Sequence, residues 1–270
     1  MNLLQRSLGA FVLAPALVAA APAQMTPAEQ VQVQAAIDRG RLLFELDQAA
    51  WMTTDDMLAR LGGRRDVPIK GWVIERTANG DGYVVTYFGD GGDDDDTGPA
   101  AFYSGVVRGG KVVSGELFAE GARPPLTAAQ LRLKQATDAA RAFSEYQPCT
   151  PNRFNVAVVP PAAGEPIDAY LLSSQTERNV YPLGGHFRLR IDGGKIVSHR
   201  PFMKSCMNLN TAAAAGKGSP EALVVAHLLD PTPTEIHVFV SMWMKKPIFV
   251  VTGKRLWAVE GPHIRLVGKK

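Results

Sequence analysis

The stretch Val107-Arg108-Gly109-Gly110-Lys111-Val112-Val113-Ser114 has a near copy later in the chain, Ile191-Asp192-Gly193-Gly194-Lys195-Ile196-Val197-Ser198. Each places Gly-Gly between two runs rich in β-branched residues, the composition of a β-hairpin with a tight turn. The copies are offset by 84 residues (191 − 107), and a phenylalanine follows each at the same distance. The pattern favours a tandem repeat, although two Gly-Gly turns can also arise by coincidence.

The same order of elements surrounds both hairpins, because a helix signal precedes about four strand signals in each half. Thr26-Pro27-Ala28-Glu29 and Thr127-Ala128-Ala129-Gln130 both have the form of a helix capping box. We predict two further short helices, over 53–61 and 219–229. The first would begin at Thr53 with acidic residues in its first turn, and the second would begin at a Ser-Pro-Glu sequence.

Strands are predicted where β-branched and aromatic residues run between turn residues, over 72–75, 83–88, 101–107, 111–117, 154–159, 169–173, 186–191, 195–199, 236–243, 247–252, 255–259 and 264–267. Runs of strands between isolated helices predict an α+β fold with antiparallel sheets and helices packed on one face. The building unit would be a helix plus about four strands. We divide the mature chain into an N-terminal module, 24–121, and a C-terminal module, 122–270.

Residues 1–23 have the three parts of a secretory signal peptide, namely one cation at Arg6, an apolar run over 8–21, and small residues at Ala21 and Ala23. The run is short and holds a proline, whereas a transmembrane helix needs roughly 20 apolar residues. No later stretch is long and apolar enough to cross a membrane. We therefore expect cleavage after Ala23 and a periplasmic or secreted protein without a membrane span.

Composition and motifs exclude several functional classes. The 29 Lys and Arg oppose 26 Asp and Glu, and a net charge of +3 gives no reason to expect a nucleic-acid partner. A hydrophobic content of 46% and a charged content of 20% are typical of a globular protein. The His-Glu-x-x-His zinc helix, the Gly-x-Ser-x-Gly nucleophile elbow and the dinucleotide fingerprint are all absent.

Export changes the interpretation of the two cysteines, Cys149 and Cys206. In an oxidising compartment they are expected to form a disulfide, which closes a long loop and thereby stabilises the C-terminal module. The alternatives are two reduced buried thiols, or a catalytic thiol at Cys206 with Lys204 lowering its pKa. The catalytic alternative leaves Cys149 without a role.

The five histidines all lie after residue 185 and supply the candidate catalytic or metal-binding groups. Glu235 and His237 are two apart in a predicted strand, so they would share one face. Together with His186 and His227 they are the candidate ligands of a zinc site. The metal-free alternative is a general acid–base pair of His237 with Glu235 or Asp230. No spacing matches a known zinc pattern, so hydrogen-bonded structural histidines are the competing interpretation and no cofactor is the first expectation.

An acidic, glycine-rich segment between two predicted strands is a candidate calcium site. Its carboxylates are Asp90, Asp93, Asp94, Asp95 and Asp96, and clustered hard oxygen donors are what Ca²⁺ prefers. The order of the acids does not fit an EF-hand loop. The competing interpretation is a solvated loop whose charges repel one another.

Two aromatic-rich segments, 48–55 and 238–244, are predicted to contribute core residues, with a binding surface as the alternative. Taken together, the sequence favours an exported, non-enzymatic module that binds a protein or a small-molecule ligand. The alternative is an exported hydrolase, metal-dependent or using a His/acid pair, with its site in the histidine-rich C-terminal half. Neither hypothesis specifies a substrate or a partner.

Overall fold

The computed structural model describes residues 24–64, 66–91, 98–161, 166–213 and 218–269. The predicted signal peptide and four of the five predicted calcium ligands, Asp93, Asp94, Asp95 and Asp96, lie outside these ranges. Within them the chain forms three helices: α1 (Pro27–Arg60), α2 (Ala128–Ala142) and α3 (Glu235–Met244).

Fourteen strands complete the described part: β1 (Gly71–Arg76), β2 (Gly82–Gly89), β3 (Ala100–Arg108), β4 (Lys111–Leu117), β5 (Asn155–Val158), β6 (Ile167–Leu172), β7 (Val180–Pro182), β8 (Phe187–Asp192), β9 (Lys195–Pro201), β10 (Asn208–Asn210), β11 (Leu223–Ala226), β12 (Ile248–Thr252), β13 (Arg255–Glu260) and β14 (His263–Lys269). They form three four-stranded sheets, in the orders β1-β2-β3-β4, β5-β6-β8-β9 and β11-β12-β13-β14, and a small β10-β7 pair. The predicted α+β class with antiparallel sheets is confirmed. The one parallel pair, β11 with β12, was not predicted.

The two copied hairpins have matching geometry. The β3–β4 register shifts between Val106 and Val107, and the β8–β9 register shifts between Arg190 and Ile191, which is the same position 84 residues on. Both Gly-Gly turns have positive φ at each glycine, which glycine adopts without a steric penalty. Each hairpin closes one side of a four-stranded antiparallel meander. These matches are consistent with the predicted tandem repeat, which stays a prediction.

Helix α1 is one continuous helix of 34 residues, so the predicted start of a second helix at Thr53 is wrong. The Thr53 hydroxyl donates to the Ala49 carbonyl at 2.7 Å, one turn back, instead of capping a new helix. The predicted capping box at the start of α1 is present, with Thr26 and Glu29 bonding each other's backbone N–H groups. A threonine that is bonded to the preceding turn continues a helix rather than starting one.

In the last part of the chain, the types of two predicted elements are wrong, because a strand stands where a helix was predicted and a helix where a strand was predicted. The predicted helix over 219–229 contains strand β11, and the predicted strand over 236–243 is helix α3. Almost every residue of α3 is buried, so its sequence shows no amphipathic period that could separate a helix from a strand. Because α3 connects β11 to β12, it is the crossover that a parallel pair of strands requires.

Tyrosine hydroxyls attach α1 to the first sheet. Tyr83 donates to the Glu45 carboxylate at 2.6 Å, Tyr87 to the Ala50 carbonyl at 2.8 Å, and Tyr103 to the Asp56 carboxylate at 2.6 Å. Buried hydroxyls need such partners, because an unpaired one costs free energy on desolvation. Hydrogen bonds from the first sheet therefore attach the long helix at three positions, Glu45, Ala50 and Asp56.

The hydrophobic core consists of two clusters that both cross the predicted module boundary at 121/122. One cluster joins α1 and α3 with the first sheet, and the other surrounds α2. Neighbouring residues of β1 divide between them, with Ile74 in the first cluster and Val73 in the second. The division into two modules stays a prediction, and the packing joins both halves through α1 and α2.

Candidate functional site: an arginine-lined cleft

A cleft of about 860 Å³ lies between α1, the sheet β5-β6-β8-β9 and the first residues of α3. Six arginines line it: Arg39, Arg41, Arg76, Arg188, Arg190 and Arg200. Arg188 and Arg190 lie two apart on β8 and alternate with the buried residues Phe187, Leu189 and Ile191. Since alternate residues of a strand share a face, β8 places both guanidinium groups on the cleft side.

Three carboxylates inside the cleft pair with four of these arginines. Asp168 lies 3.3 Å from Arg39 and 3.9 Å from Arg190. The other two pairs are Arg188–Glu235 at 3.4 Å and Arg200–Asp230 at 2.8 Å. Because Asp168 and Glu235 are largely buried, they need these cations close by.

The ion pairs use only a small part of the arginines' hydrogen-bonding capacity. A guanidinium carries five N–H donors, and each of the four paired arginines spends at most one on its carboxylate. Asp168 Oδ1 is buried without a hydrogen-bond partner, since Arg190 is too distant to donate to it. The pairs of Arg39, Arg188 and Arg190 are therefore longer than that of Arg200, and each of these arginines keeps N–H donors that its carboxylate does not use.

The charge of the cleft favours an anion, although only slightly in total. Among the residues that the structure describes, the six guanidinium groups face five lining carboxylates, those of Asp38, Glu45, Asp168, Asp230 and Glu235. Arg41 and Arg76 make no ion pair with a described residue. The N-terminal end of α3 also borders the cleft, where the helix dipole adds positive potential.

Asp230 connects the cleft to a buried histidine. Its Oδ2 lies 2.9 Å from His227 Nε2 and 2.8 Å from Arg200. Burial by itself would raise the pKa of Asp230, but the hydrogen bonds from His227 and Arg200 outweigh it and lower the pKa below the ordinary value. Asp230 is therefore an ionised member of the cleft wall at neutral pH.

Of the four predicted zinc ligands, His227 and His237 contact each other, whereas His186 and Glu235 have other partners. His237 packs edge-on against His227 with ring centroids 4.8 Å apart, and its Nδ1 accepts from the Thr234 backbone N–H. Glu235 bonds instead to Tyr170 and Arg188. Among the described residues, no group of three or more His, Cys, Asp or Glu side chains is placed to hold a metal ion.

His186 has a structural environment of its own. Its Nδ1 accepts from the Ser173 backbone N–H, and its Nε2 donates to the Pro182 carbonyl at 3.0 Å. Complete burial lowers the pKa of His186 to about 4. Burial likewise lowers the pKa of His237 to about 3. Both rings are therefore neutral at physiological pH, as hydrogen-bonded structural histidines are.

The predicted acid–base pair of His237 with Glu235 or Asp230 does not form in the structure. Asp230 bonds to His227 instead, and Glu235 turns toward Tyr170. The physical reason is that α3 is a helix, in which residues two apart do not face each other. The shared face that we expected for Glu235 and His237 assumed a strand.

Cys149 and Cys206 form a disulfide, with their Cα atoms 5.2 Å apart. The expected disulfide is therefore present, and the two alternatives, a catalytic thiol at Cys206 and two reduced thiols, do not hold in this structure. Of the predicted calcium ligands, Asp90 is the one that the structure describes, and its carboxylate pairs with Lys70 at 2.6 Å.

The arginine-lined cleft was missed at the level of sequence. The arginines come from α1, β1, β8 and β9, so they are dispersed over more than 160 residues (200 − 39). The one local signal was Arg188-Leu189-Arg190, in which two cations alternate with an apolar residue in a predicted strand. That signal indicates a charged face of the sheet, but it does not indicate which element packs opposite that face.

Comparison of the chain with protein families, with curated proteins and with solved structures finds no match in any of the three. In the part of the chain that the structure describes, no helix is long and apolar enough to span a membrane.

Proposed function

We propose that this protein is an exported binding protein for a small, multiply charged anion, which it holds in the arginine-lined cleft. The observation that carries the proposal is the set of six arginines around one cavity of about 860 Å³. A cleft of this size accommodates a small organic molecule. Non-enzymatic ligand binding is also what the lack of a catalytic motif favours.

Guanidinium groups suit carboxylates and phosphates because their planar N–H pairs match two oxygens at once. A bound anion would take up the free donors of Arg190 and Arg41 while the acidic residues keep the arginines in place. Two or more negative charges on the ligand are required, since each isolated charge must compete with the carboxylates already present. Citrate and pyrophosphate are simple probes with that property.

Export is the second half of the proposal, and two features support it. The Cys149–Cys206 disulfide is typical of oxidising compartments. The expected signal peptide over 1–23 would direct the chain there. Both features are compatible with a periplasmic or a secreted protein.

The binding proposal is tested by isothermal titration calorimetry with citrate and with pyrophosphate at low ionic strength. Arg190→Gln is expected to weaken binding about tenfold, since it removes a charged donor whose bond to Asp168 is already weak. Arg178→Gln is the matched control, because Arg178 is exposed and does not line the cleft. Binding that is equal in the two variants, or no binding of either probe, would contradict the proposal.

The alternative of an exported hydrolase retains one supporting observation, the His227–Asp230 hydrogen bond beside the cleft. The His227 side chain has no exposed surface, however, so a ligand in the cleft would meet Asp230 and not the imidazole. General acid–base chemistry needs the base within hydrogen-bond reach of the substrate. For that reason we propose binding and not hydrolysis.

A further inference from the structure

A second, smaller groove lies along residues 46–54 of α1, beside the edge strands of two sheets. Its volume is about 220 Å³, and it is bordered by α1, by the edge strands β1 and β5, and by Thr137 of α2. Most of the side chains that line it are apolar, among them Leu46, Ala50, Val73, Ile74, Val156, Val158 and Leu172. The groove is thus an apolar cavity with space for a small organic group.

One carboxylate interrupts this apolar lining. Asp47 is the single ionisable residue among the described residues of the groove. Its one hydrogen bond with a described residue comes from Gln48 Nε2 at 3.4 Å, and it makes no ion pair with a described residue. Burial raises its pKa to about 6. At neutral pH the groove therefore contains a carboxylate that has lost much of its hydration without gaining a cation.

Two tryptophans, Trp51 and Trp72, line the same groove as this carboxylate. Trp51 follows Asp47 by one helical turn, so both side chains lie on the same face of α1. Trp72 comes from β1 and packs against Tyr87, with ring centroids 6.1 Å apart. The Trp51 side chain is 60% exposed, which corrects the expectation that the aromatic residues of 48–55 are core. An exposed indole that lines an apolar groove offers a ligand a π-surface to contact.

We propose that this groove binds a small organic cation, an ammonium group attached to an apolar or aromatic body. The ammonium group would pair with Asp47 and lie against the indole faces, whose negative π-surfaces attract cations. The apolar body would fill the space between β1 and β5. The charge of this groove is opposite to that of the arginine-lined cleft, so the two sites select different ligands and neither proposal depends on the other.

The first test is titration of the full mature protein with 2-phenylethylamine, followed by calorimetry and by tryptophan fluorescence. The neutral isostere 2-phenylethanol and the anion phenylacetate have nearly the same body but lack the positive charge. We expect the amine to bind at least about tenfold more tightly than the alcohol, and phenylacetate to bind most weakly. Equal affinities for amine and alcohol, or no binding of the amine, would overturn the proposal.

The second test uses substitutions. Asp47→Asn is expected to weaken amine binding about tenfold and to leave the affinity for the alcohol nearly unchanged. Asp55→Asn is the matched control, because Asp55 lies on the same helix, is exposed and does not line the groove. Trp51→Ala removes an exposed ring without opening the core and should reduce the affinity for the amine and the fluorescence response. An Asp47→Asn variant that binds the amine as tightly as Asp55→Asn would show that the carboxylate does not recognise the ligand.

A pH series adds an independent readout. Because Asp47 is the single ionisable residue among the described residues of the groove, amine affinity should fall as the pH drops below about 6 and the carboxylate is protonated. The same series with Asp47→Asn should be flat in that range. Equal pH dependence in the two proteins would refute the assignment.

Discussion

Tyr170 and Glu235 illustrate how a single buried hydrogen bond connects the core to the cleft. Tyr170 is fully buried in β6, and its hydroxyl donates to Glu235 Oε1 at 3.1 Å. Burial raises the pKa of Tyr170 far above its ordinary value, so the hydroxyl keeps its proton and acts as a donor. Glu235 is also 3.4 Å from Arg188, so the same carboxylate holds one of the cleft arginines.

We expect Tyr170→Phe to lower the free energy of unfolding by about 1–2 kcal/mol, because the Glu235 carboxylate loses a buried donor while its charge stays buried. Urea denaturation measures this change. Tyr181→Phe is the control, since the Tyr181 ring packs on Trp243 and its hydroxyl makes no hydrogen bond to a described residue. Equal stability of the two variants would mean that the hydroxyl of Tyr170 contributes nothing to folding.

The histidines show the limit of residue-level prediction. The sequence shows that all five histidines lie in the last third of the chain, but it did not indicate which of them are in contact. The structure pairs His227 with His237 and with Asp230, and places His186 with backbone groups instead. Which ring nitrogen finds which partner depends on the path of the chain between β11 and α3.

At the scale of elements, the crossing of α1 and α3 depends on one glycine. A Cβ atom added at Gly40 would lie 2.5 Å from Val238 Cβ and 2.6 Å from the Glu235 carbonyl. Both are too close for any side chain, so the two helices can approach as they do only with glycine at this position. The same contact sets where the first turn of α3, with Glu235, borders the cleft.

Gly40→Ala is therefore expected to destabilise the protein by roughly 1–3 kcal/mol, because the added methyl group must push the helices apart. The variant should also bind citrate more weakly, since Glu235 moves with α3 and its ion pair with Arg188 of β8 is disturbed. Gly98→Ala provides the control, because a Cβ there meets no atom of a described residue within 4 Å. A Gly40→Ala protein as stable as the control would show that α3 moves without cost.

Element prediction was accurate where local chemistry decides and inaccurate where packing decides. The capping boxes at Thr26 and Thr127 are both present, because a cap is made by residues three apart. The hairpin turns at the two Gly-Gly pairs are present for the same reason. The elements over 219–229 and 236–243 were exchanged, and for 236–243 the reason is that nearly continuous burial removes the period that distinguishes a helix from a strand.

At the scale of the whole molecule, His186, His237 and Asp47 have shifted pKa values that make stability depend on pH between about 5 and 7.5. The pKa of His186 is about 4 and that of His237 about 3 in the folded protein, against an ordinary value of 6.5. Below pH 6.5 the unfolded chain takes up these protons and the folded chain does not, so acid favours unfolding. Asp47 acts in the opposite direction, because its folded pKa of about 6 exceeds its ordinary 3.8.

Between about pH 7.5 and about pH 5 the two histidines should remove roughly 4 kcal/mol of stability, and Asp47 should restore about 1 kcal/mol. We expect a net loss of about 3 kcal/mol, measured by urea denaturation at each pH. Asp47→Asn should show a larger loss over the same range, by about 1 kcal/mol. Stability that is constant or rises toward pH 5 would contradict the burial of the neutral rings.

The sequence by itself determined the α+β class, the helix starts at Thr26 and Thr127 and the hairpins, and it made the pairing of Cys149 with Cys206 the expected state of the two cysteines. Each depends on residues close in the chain or, for the cysteines, on there being only two. Only the tertiary structure decided the arginine-lined cleft and the groove beside Asp47. Their walls come from elements that are distant in the chain. Tertiary packing brings those elements together, and the sequence does not show which elements pack against each other.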